Sequence, residues 1–122
     1  MAEHNDFGKW AEAYAEKFLE NKGYRILRKN YRYHNAEIDL IATCGNQIIF
    51  FEVKARRSTF FEKPYEAVKS SKIRNIIKAA NYFMEDYEGD WEARFDIISI
   101  TPNKEKDWNL EHIENAFSAM DL

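Results

Sequence analysis

Three carboxylates and one lysine stand close together in the middle of the chain. Glu37 and Asp39 alternate with apolar residues, and Glu52 and Lys54 follow in a second apolar run. Carboxylate oxygens are the ligands that Mg²⁺ prefers, and a lysine beside a bound metal can orient an attacking water or steady the charge on a phosphate. These residue types therefore indicate metal-assisted hydrolysis, provided that the fold brings the four side chains together.

A tight hairpin is expected to bring them together. The runs 36–43 and 47–55 are rich in residues that favour strands, and Gly45-Asn46 between them suits a two-residue type II′ turn, in which Gly takes the first central position. A turn of this length fixes the register, because opposed residues then have numbers that sum to 91.

In this register Asp39 faces Glu52, and Glu37 faces Lys54. Because side chains alternate along a strand, all four are expected on one face of the sheet, as a rectangle whose opposed Cβ atoms are roughly 5 Å apart. Opposed carboxylates repel each other, and a divalent cation between Asp39 and Glu52 would relieve that repulsion. A surface hairpin with ion pairs to Lys54 is the alternative, and it accounts for the lysine but not for the opposed acids.

The flanking sequence predicts the element order αβββαβ, with a short further strand at the end. A first helix is expected to start at a cap formed by Asn5 or Asp6 and to end before Gly23. The other expected elements are a strand over 24–33, a helix over 67–88, and strands over 93–101 and 110–113. The predicted fold is therefore α/β, a mixed sheet flanked by helices, in a single domain that spans residues 1–122.

The net charge of −3 on 122 residues would, as a total, speak against a nucleic-acid partner. The charge is unevenly spread, however. Segment 22–34 holds five basic and no acidic residues, and segment 54–78 holds eight basic and two acidic ones. Between them, segment 35–53 carries only the three carboxylates. This distribution favours a site for a polyanion, with carboxylates at its centre.

Composition narrows the class of protein. The chain has one cysteine, Cys44, which excludes an internal disulfide and a cysteine-based metal cluster. No apolar run approaches the roughly 20 residues that a membrane span needs, and the N-terminal residues lack the pattern of a signal peptide. We therefore expect a cytoplasmic protein with no membrane partner.

The residues around the carboxylates resemble a known signature. Ala36-Glu37-Ile38-Asp39-Leu40-Ile41-Ala42 and Phe51-Glu52-Val53-Lys54-Ala55-Arg56 are similar to the Asp…Glu-x-Lys pattern of the PD-(D/E)xK, or restriction-endonuclease-like, nuclease superfamily. More closely, the chain resembles the YraN family of uncharacterised bacterial proteins over nearly its whole length. The residues that carry this second resemblance are Gly8, Glu12, Asn30-Tyr31-Arg32, Lys72, Arg94-Phe95-Asp96, His112-Ile113 and Asn115-Ala116-Phe117.

The resemblance implies a restriction-endonuclease-like αβββαβ core and a metal-dependent site. Asp39, Glu52 and the backbone carbonyl of Val53 would bind Mg²⁺ or Mn²⁺, and Lys54 would be the catalytic lysine.

Two further acids gain roles from the same resemblance. Glu12 matches the extra acid that the Holliday-junction-resolvase branch places in its first helix. Glu37 matches a family position that could hold Lys54 or a metal-bound water. The family usually has Gly before each of these glutamates, where this chain has Ala11 and Ala36. Alanine removes no chemical group, so the substitution affects only how closely the backbone can be approached.

Other side chains near the site are candidates for contact with nucleic acid. The cations expected to contact phosphates are Arg32, Arg56, Arg57 and Lys72. The aromatic residues Phe60, Phe61 and Tyr65 follow the site strand, where they could stack on unpaired bases or pack over the core.

The leading hypothesis is a metal-dependent endonuclease that hydrolyses DNA phosphodiester bonds, including those of branched, Holliday-junction-like DNA. By analogy with lone resolvase-like domains, it would act as a homodimer. One alternative is a nucleic-acid-binding protein with the nuclease fold and little or no catalysis. Another is a protein-interaction adaptor, for which the acidic segment 85–122 is the only indication.

Overall fold

A computed structural model of the chain describes residues 2–57, 70–103, 105 and 107–119. Its elements are α1 (Ala2–Asn21), β1 (Arg25–Tyr33), β2 (Ala36–Cys44), β3 (Gln47–Ala55), α2 (Ser70–Glu85), β4 (Glu92–Pro102) and β5 (Trp108–Ile113). This order confirms the predicted αβββαβ core with a further strand. The expectations for Phe60, Phe61 and Tyr65 lie outside the described residues.

The five strands form one mixed sheet in the order β1-β2-β3-β4-β5. Neighbouring strands are antiparallel except β3 and β4, which are parallel. A parallel pair needs a long crossover connection, and α2 lies in the stretch of chain between β3 and β4. The fold is therefore the α/β arrangement expected of a restriction-endonuclease-like core.

Each face of the sheet is covered, which explains the unbroken apolar run in β3. Ile49 and Phe51 pack in the core layer that contains the buried residues of α1. Ile48 and Phe50 pack in the layer that contains those of α2. Strands buried on both faces read as continuous apolar runs rather than as alternating ones.

The first helix begins at Ala2, so the predicted cap at Asn5 or Asp6 is wrong. Ala2 has high helix propensity, so the helix can start before the predicted cap. The predicted end is confirmed. Gly23 has φ 98°, its amide donates to the Glu20 carbonyl at 3.1 Å, and the Tyr24 amide donates to the Leu19 carbonyl at 3.0 Å, which is the Schellman pattern.

The second helix ends earlier than expected. Its last residue is Glu85, and the amide of Tyr87 then donates to the Met84 carbonyl at 3.0 Å, three residues back. Such bonds tighten the last turn and stop the α-helical pattern. Gly89, with φ 116°, turns the chain towards β4. Neither helix in the described ranges is long and apolar enough to cross a membrane.

Candidate active site

The predicted register of the β2–β3 hairpin is confirmed over its inner part. Cys44 pairs with Gln47, and the pairs continue outward to Leu40 with Phe51. Gly45 has φ 61° and Asn46 has no positive φ, as a type II′ turn requires. The sequence therefore predicted which residues of the two strands oppose each other up to this point.

The regular ladder stops at Asp39. The Val53 amide donates to Asp39 Oδ2 at 2.7 Å, so a side chain has taken the place of a backbone acceptor. On the other side of β2, the pairs of β1 skip from Lys29–Leu40 to Tyr31–Ile38. Asp39 therefore forms no regular backbone pair with β1 or with β3. Its carboxylate occupies the gap that this leaves between the strands, which we call the opening.

The residue of β1 that lies between those two pairs is Asn30. Its φ is 52°, a left-handed conformation that asparagine tolerates better than most residues. Its side chain is hydrogen-bonded to Glu12 of α1. Asn30 therefore breaks β1 at the site and holds one of the carboxylates, a role that sequence reasoning missed. An asparagine within a run of strand formers was the available signal.

The break changes which face Glu37 occupies, so the predicted rectangle is wrong. Ile38 packs in the α2 layer and Leu40 in the α1 layer, although regular alternation would put both on one face. Glu37, which precedes Ile38, therefore points to the α1 side. It does not oppose Lys54; instead Arg32 Nη2 lies 3.0 Å from Glu37 Oε2.

A group of three carboxylates results on the α1 side of the opening. One oxygen each of Glu12, Glu37 and Asp39 lies within 4.8 Å of the other two. Spacing of this kind suits shared binding of one divalent cation by oxygen ligands. The structure thus brings together two acids from the predicted hairpin and the helix acid that the family resemblance indicated.

Glu52 lies on the α2 side with two lysines. Its side chain is 5% exposed, Lys72 Nζ is 2.5 Å from Oε1, and Lys54 Nζ is 3.7 Å from the same oxygen. Lys72 was expected to contact phosphate, and it lies instead in direct contact with an expected metal ligand. A cavity of about 420 Å³, which we call the carboxylate cavity, joins the two groups. Its lining residues include Glu37, Asp39, Glu52, Ser71, Lys72 and Asn75.

The crowded charges alter the protonation of the acids. Burial, together with the charges of Glu52 and Glu12, raises the pKa of Asp39 to about 8, against the effects of the Val53 amide and Lys72. Burial and the charges of Glu37 and Glu52 also raise the pKa of Glu12, although its bond to Asn30 opposes the change. Acids in such surroundings are favourable sites for a cation, because a bound cation would offset both the burial and the repulsion.

The two lysines differ in their electrostatics. Burial, and then the charge of Lys72, lower the pKa of Lys54, although Glu52 opposes the change. Burial by itself would lower the pKa of Lys72. The hydrogen bond to Glu52 and the charge of Glu52 outweigh burial, so the pKa of Lys72 is raised. Lys54 is therefore the cation that gives up a proton more readily.

The predicted phosphate ligands are not all at the cavity. Arg32 lies at its edge beside Glu37, with a side chain that is 78% exposed. Arg57 instead stacks over the ring of Phe7 at 4.3 Å, and Arg56 Nη1 donates to the carbonyl of Ala55 at 3.2 Å. Both follow directly after β3, so they extend the basic surface beyond the site strand. Nothing in the geometry tests the ligand role of the Val53 carbonyl, which stays a prediction.

Comparison with known proteins identifies the family. Residues 11–100 match the uncharacterised protein family UPF0102. A UPF0102 protein of Christiangramia forsetii is 47% identical over 117 residues, which cover 96% of this chain and 98% of the relative. Those of Flavobacterium psychrophilum and Bacteroides thetaiotaomicron are 44% and 38% identical, over 96% of this chain and 98% and 96% of the relatives. The chain therefore belongs to the uncharacterised family UPF0102, the YraN family that its motifs resemble.

Proposed function

We propose that this protein is a metal-dependent endonuclease that hydrolyses phosphodiester bonds in DNA. One observation carries the proposal: one oxygen each of Glu12, Glu37 and Asp39 lies within 4.8 Å of the other two at the opening beside Asp39, and Glu52 lines the same cavity as Glu37 and Asp39, next to Lys54. A binding surface for a polyanion has no need of clustered acids, because they repel phosphates. A hydrolase needs them to hold a cation.

Asp39 is the central metal ligand in this proposal, since it borders both groups of acids. Glu12 and Glu37 complete an oxygen site on its α1 side, and Glu52 offers a further oxygen on the α2 side. Mg²⁺ or Mn²⁺ bound there would supply an activated water and would neutralise charge on the phosphate. The fit is chemical, because carboxylate oxygens are the preferred ligands of both ions.

Lys54 is the proposed catalytic lysine. Its Nζ lies 3.7 Å from Glu52 Oε1, so the carboxylate holds the amine at the edge of the cavity. Burial and the neighbouring charge of Lys72 lower the pKa of Lys54. This side chain can orient the attacking water or stabilise the negative charge that develops on the phosphate.

The proposed substrate is DNA, and branched DNA is the first form to test. Arg32 at the cavity edge and the cations that follow β3 supply contacts for more than one phosphate. Glu12 matches the acid of the first helix in Holliday-junction-resolvase-like nucleases, and that likeness brings junctions into the proposal. Two copies would act together on such a substrate by the same analogy.

The test is a cleavage assay on three substrates: linear duplex, single-stranded and four-way-junction DNA. Wild type is compared with Asp39→Asn and Lys54→Ala, in Mg²⁺, in Mn²⁺ and in chelator. Glu20→Gln is the matched control, because Glu20 is an exposed acid on α1 away from the carboxylate cavity. We expect metal-dependent cleavage that Asp39→Asn and Lys54→Ala each reduce at least about a hundredfold, and that Glu20→Gln leaves unchanged.

A second candidate function is binding to nucleic acid without hydrolysis. The contact of Lys72 with Glu52 favours it, because a lysine already neutralises one of the expected metal ligands. Salt-sensitive binding without cleavage in either metal would move the conclusion to this candidate. If the protein neither binds nor cleaves nucleic acid, the adaptor hypothesis remains.

A further inference from the structure

A second cavity opens beside the carboxylate cavity, at the turn between β1 and β2. We call it the turn cavity; its volume is about 290 Å³, and its lining residues are Tyr33, His34, Asn35, Ala36, Asn75 and Lys78. Three of these residues, Asn35, Ala36 and Asn75, also line the carboxylate cavity. The two cavities are therefore adjacent parts of one depression between the β1–β2 hairpin and α2.

Aromatic rings form one side of the turn cavity. The His34 ring stands edge-on to Tyr33, with centroids 4.4 Å apart, and Tyr82 of α2 stacks on Tyr33 at 4.4 Å and 24°. His34 is exposed, and Tyr82 is 46% exposed. Rings that are held by their neighbours and still reach solvent are the kind of surface on which unpaired bases stack.

The backbone of His34 is unusual for the residue it carries. Tyr33 pairs with Ala36, so His34 is the first central residue of a two-residue turn. Its φ is 55° and Asn35 has no positive φ, a pattern that favours glycine at the position of His34. Gly45 fills the equivalent position in the β2–β3 turn. Histidine adopts this conformation more readily than most residues do, and the turn places its exposed ring at the turn cavity.

The remaining side chains of the turn cavity offer hydrogen bonds and positive charge. Asn35 and Asn75 each carry an amide that both donates and accepts, as the edges of bases require. Lys78 is exposed on α2 and can contact an adjoining phosphate. The cavity thus combines ring surface, amides and one cation in the arrangement that a nucleotide requires.

We propose that the turn cavity binds the base of an unpaired nucleotide next to the bond held at the carboxylate cavity. The inference rests on the proposed function and names its substrate class: nucleic acid with an unstacked base beside the scissile phosphate. Because Asn35 and Asn75 border both cavities, one nucleotide can contact the turn cavity with its base and the carboxylate cavity with its phosphate. A blunt duplex offers no free base face and binds through its phosphates alone.

Binding measured without hydrolysis tests the proposal. The full chain with Asp39→Asn is titrated in Mg²⁺ into a single-stranded oligonucleotide that contains 2-aminopurine, and into a blunt duplex of the same sequence. We expect quenching of the single strand's fluorescence by stacking. Adding His34→Gly or Tyr33→Leu is expected to weaken single-strand binding at least about fivefold and to leave duplex binding unchanged. Since the turn favours glycine, His34→Gly should keep the fold, which thermal unfolding verifies.

Tyr14→Leu is the matched control. Among the described residues Tyr14 is, with Tyr82, an exposed large aromatic residue, at 37%, and it lines a groove that shares no residue with either cavity. If His34→Gly and Tyr33→Leu bind the single strand as tightly as the control does, or lose single-strand and duplex binding equally, the proposal is wrong. His34→Gly and Tyr33→Leu are also made without Asp39→Asn and assayed for cleavage of the single strand. If both cleave it as fast as wild type does, the base site is rejected and the hydrolase is not. If the protein quenches the 2-aminopurine fluorescence of the single strand but wild type cleaves no substrate, the hydrolase is rejected and the base site is not.

Discussion

At the scale of single residues, the site depends on Asp39 being in an irregular place. Its carboxylate accepts a hydrogen bond from the Val53 amide, and the same carboxylate lies beside the other acids. That arrangement lowers stability, because burial and the charges of Glu52 and Glu12 raise the pKa of Asp39 to about 8. Acids kept together against their repulsion are a feature of functional sites rather than of structural ones.

Replacing Asp39 with asparagine is therefore expected to stabilise the metal-free protein. The pKa of Asp39 is about 8 in the folded chain against a usual 3.8. A group whose folded pKa is raised gives most stability below its unfolded pKa and loses it as pH rises towards the folded one. Asp39→Asn keeps an oxygen for the Val53 amide, so at pH 8 in chelator the free energy of unfolding should rise by on the order of 1 kcal/mol.

Thermal unfolding at pH 8 and pH 4 checks this, because the gain should be absent at the lower pH. Adding Mg²⁺ should then raise the melting temperature of wild type and leave that of Asp39→Asn nearly unchanged. A variant that is less stable than wild type at pH 8 would contradict the prediction.

The sequence located Asp39, Glu52 and Lys54 through their spacing, but it could not place all the residues correctly. The alternation of side chains assumes an unbroken strand, and the break depends on two local choices: the left-handed backbone of Asn30 and the bond from the Val53 amide to a side chain. Neither leaves a mark in the pattern of apolar residues. Contacts between residues distant in sequence, such as Lys72 with Glu52, depend on how a helix docks on the sheet, so they could not be predicted from the sequence either.

At the scale of elements, a buried polar network ties β4 and β5 to the end of α1. Asp96, which is 0% exposed, accepts hydrogen bonds from Arg94, from the Asn115 amide and from His112 Nε2 at 2.7 Å. Lys22 Nζ lies 2.9 Å from His112 Nδ1. Lysine only donates, so Nδ1 accepts and the ring proton is on Nε2. Apolar periodicity predicted the strands, but it gave no sign of this network.

Asp96→Asn is expected to destabilise the protein by about 3 kcal/mol at pH 7, because it leaves the buried charge of Arg94 without its main partner. The bonds from His112 and Arg94 outweigh burial and lower the pKa of Asp96 in the folded state. Stability from such a group is present above its unfolded pKa and is lost as pH falls through the folded one. The difference from wild type should therefore shrink below about pH 4.

Denaturant unfolding at pH 7 and pH 3 measures this difference. Asp90→Asn is the control, since Asp90 is an exposed acid in the loop before β4. A loss of stability that is the same at both pH values would show that the charge of Asp96 is not its source.

At the scale of the whole molecule, the sheet order separates charges that the net value of −3 conceals. The basic strand β1 is one edge of the sheet, and β5, at the opposite edge, belongs to the segment 79–122 with its eleven acidic and three basic residues. The opening at Asp39 lies on the basic side, between β1 and β3. The opening therefore lies beside the basic edge strand although the chain as a whole is acidic, which agrees with the proposed polyanion partner.

This polarity predicts that position, and not charge alone, decides which arginine matters for DNA. Arg32 and Arg25 are exposed arginines at opposite ends of β1, and only Arg32 lies beside Glu37. We expect Arg32→Gln to weaken duplex binding and to reduce the slope of log affinity against log salt by about 0.9, the value for one phosphate contact. Arg25→Gln removes the same charge at the far end and should leave the slope unchanged. Anisotropy titrations at several salt concentrations measure both slopes, and equal losses would mean that DNA does not bind at the end of β1 where the carboxylates lie.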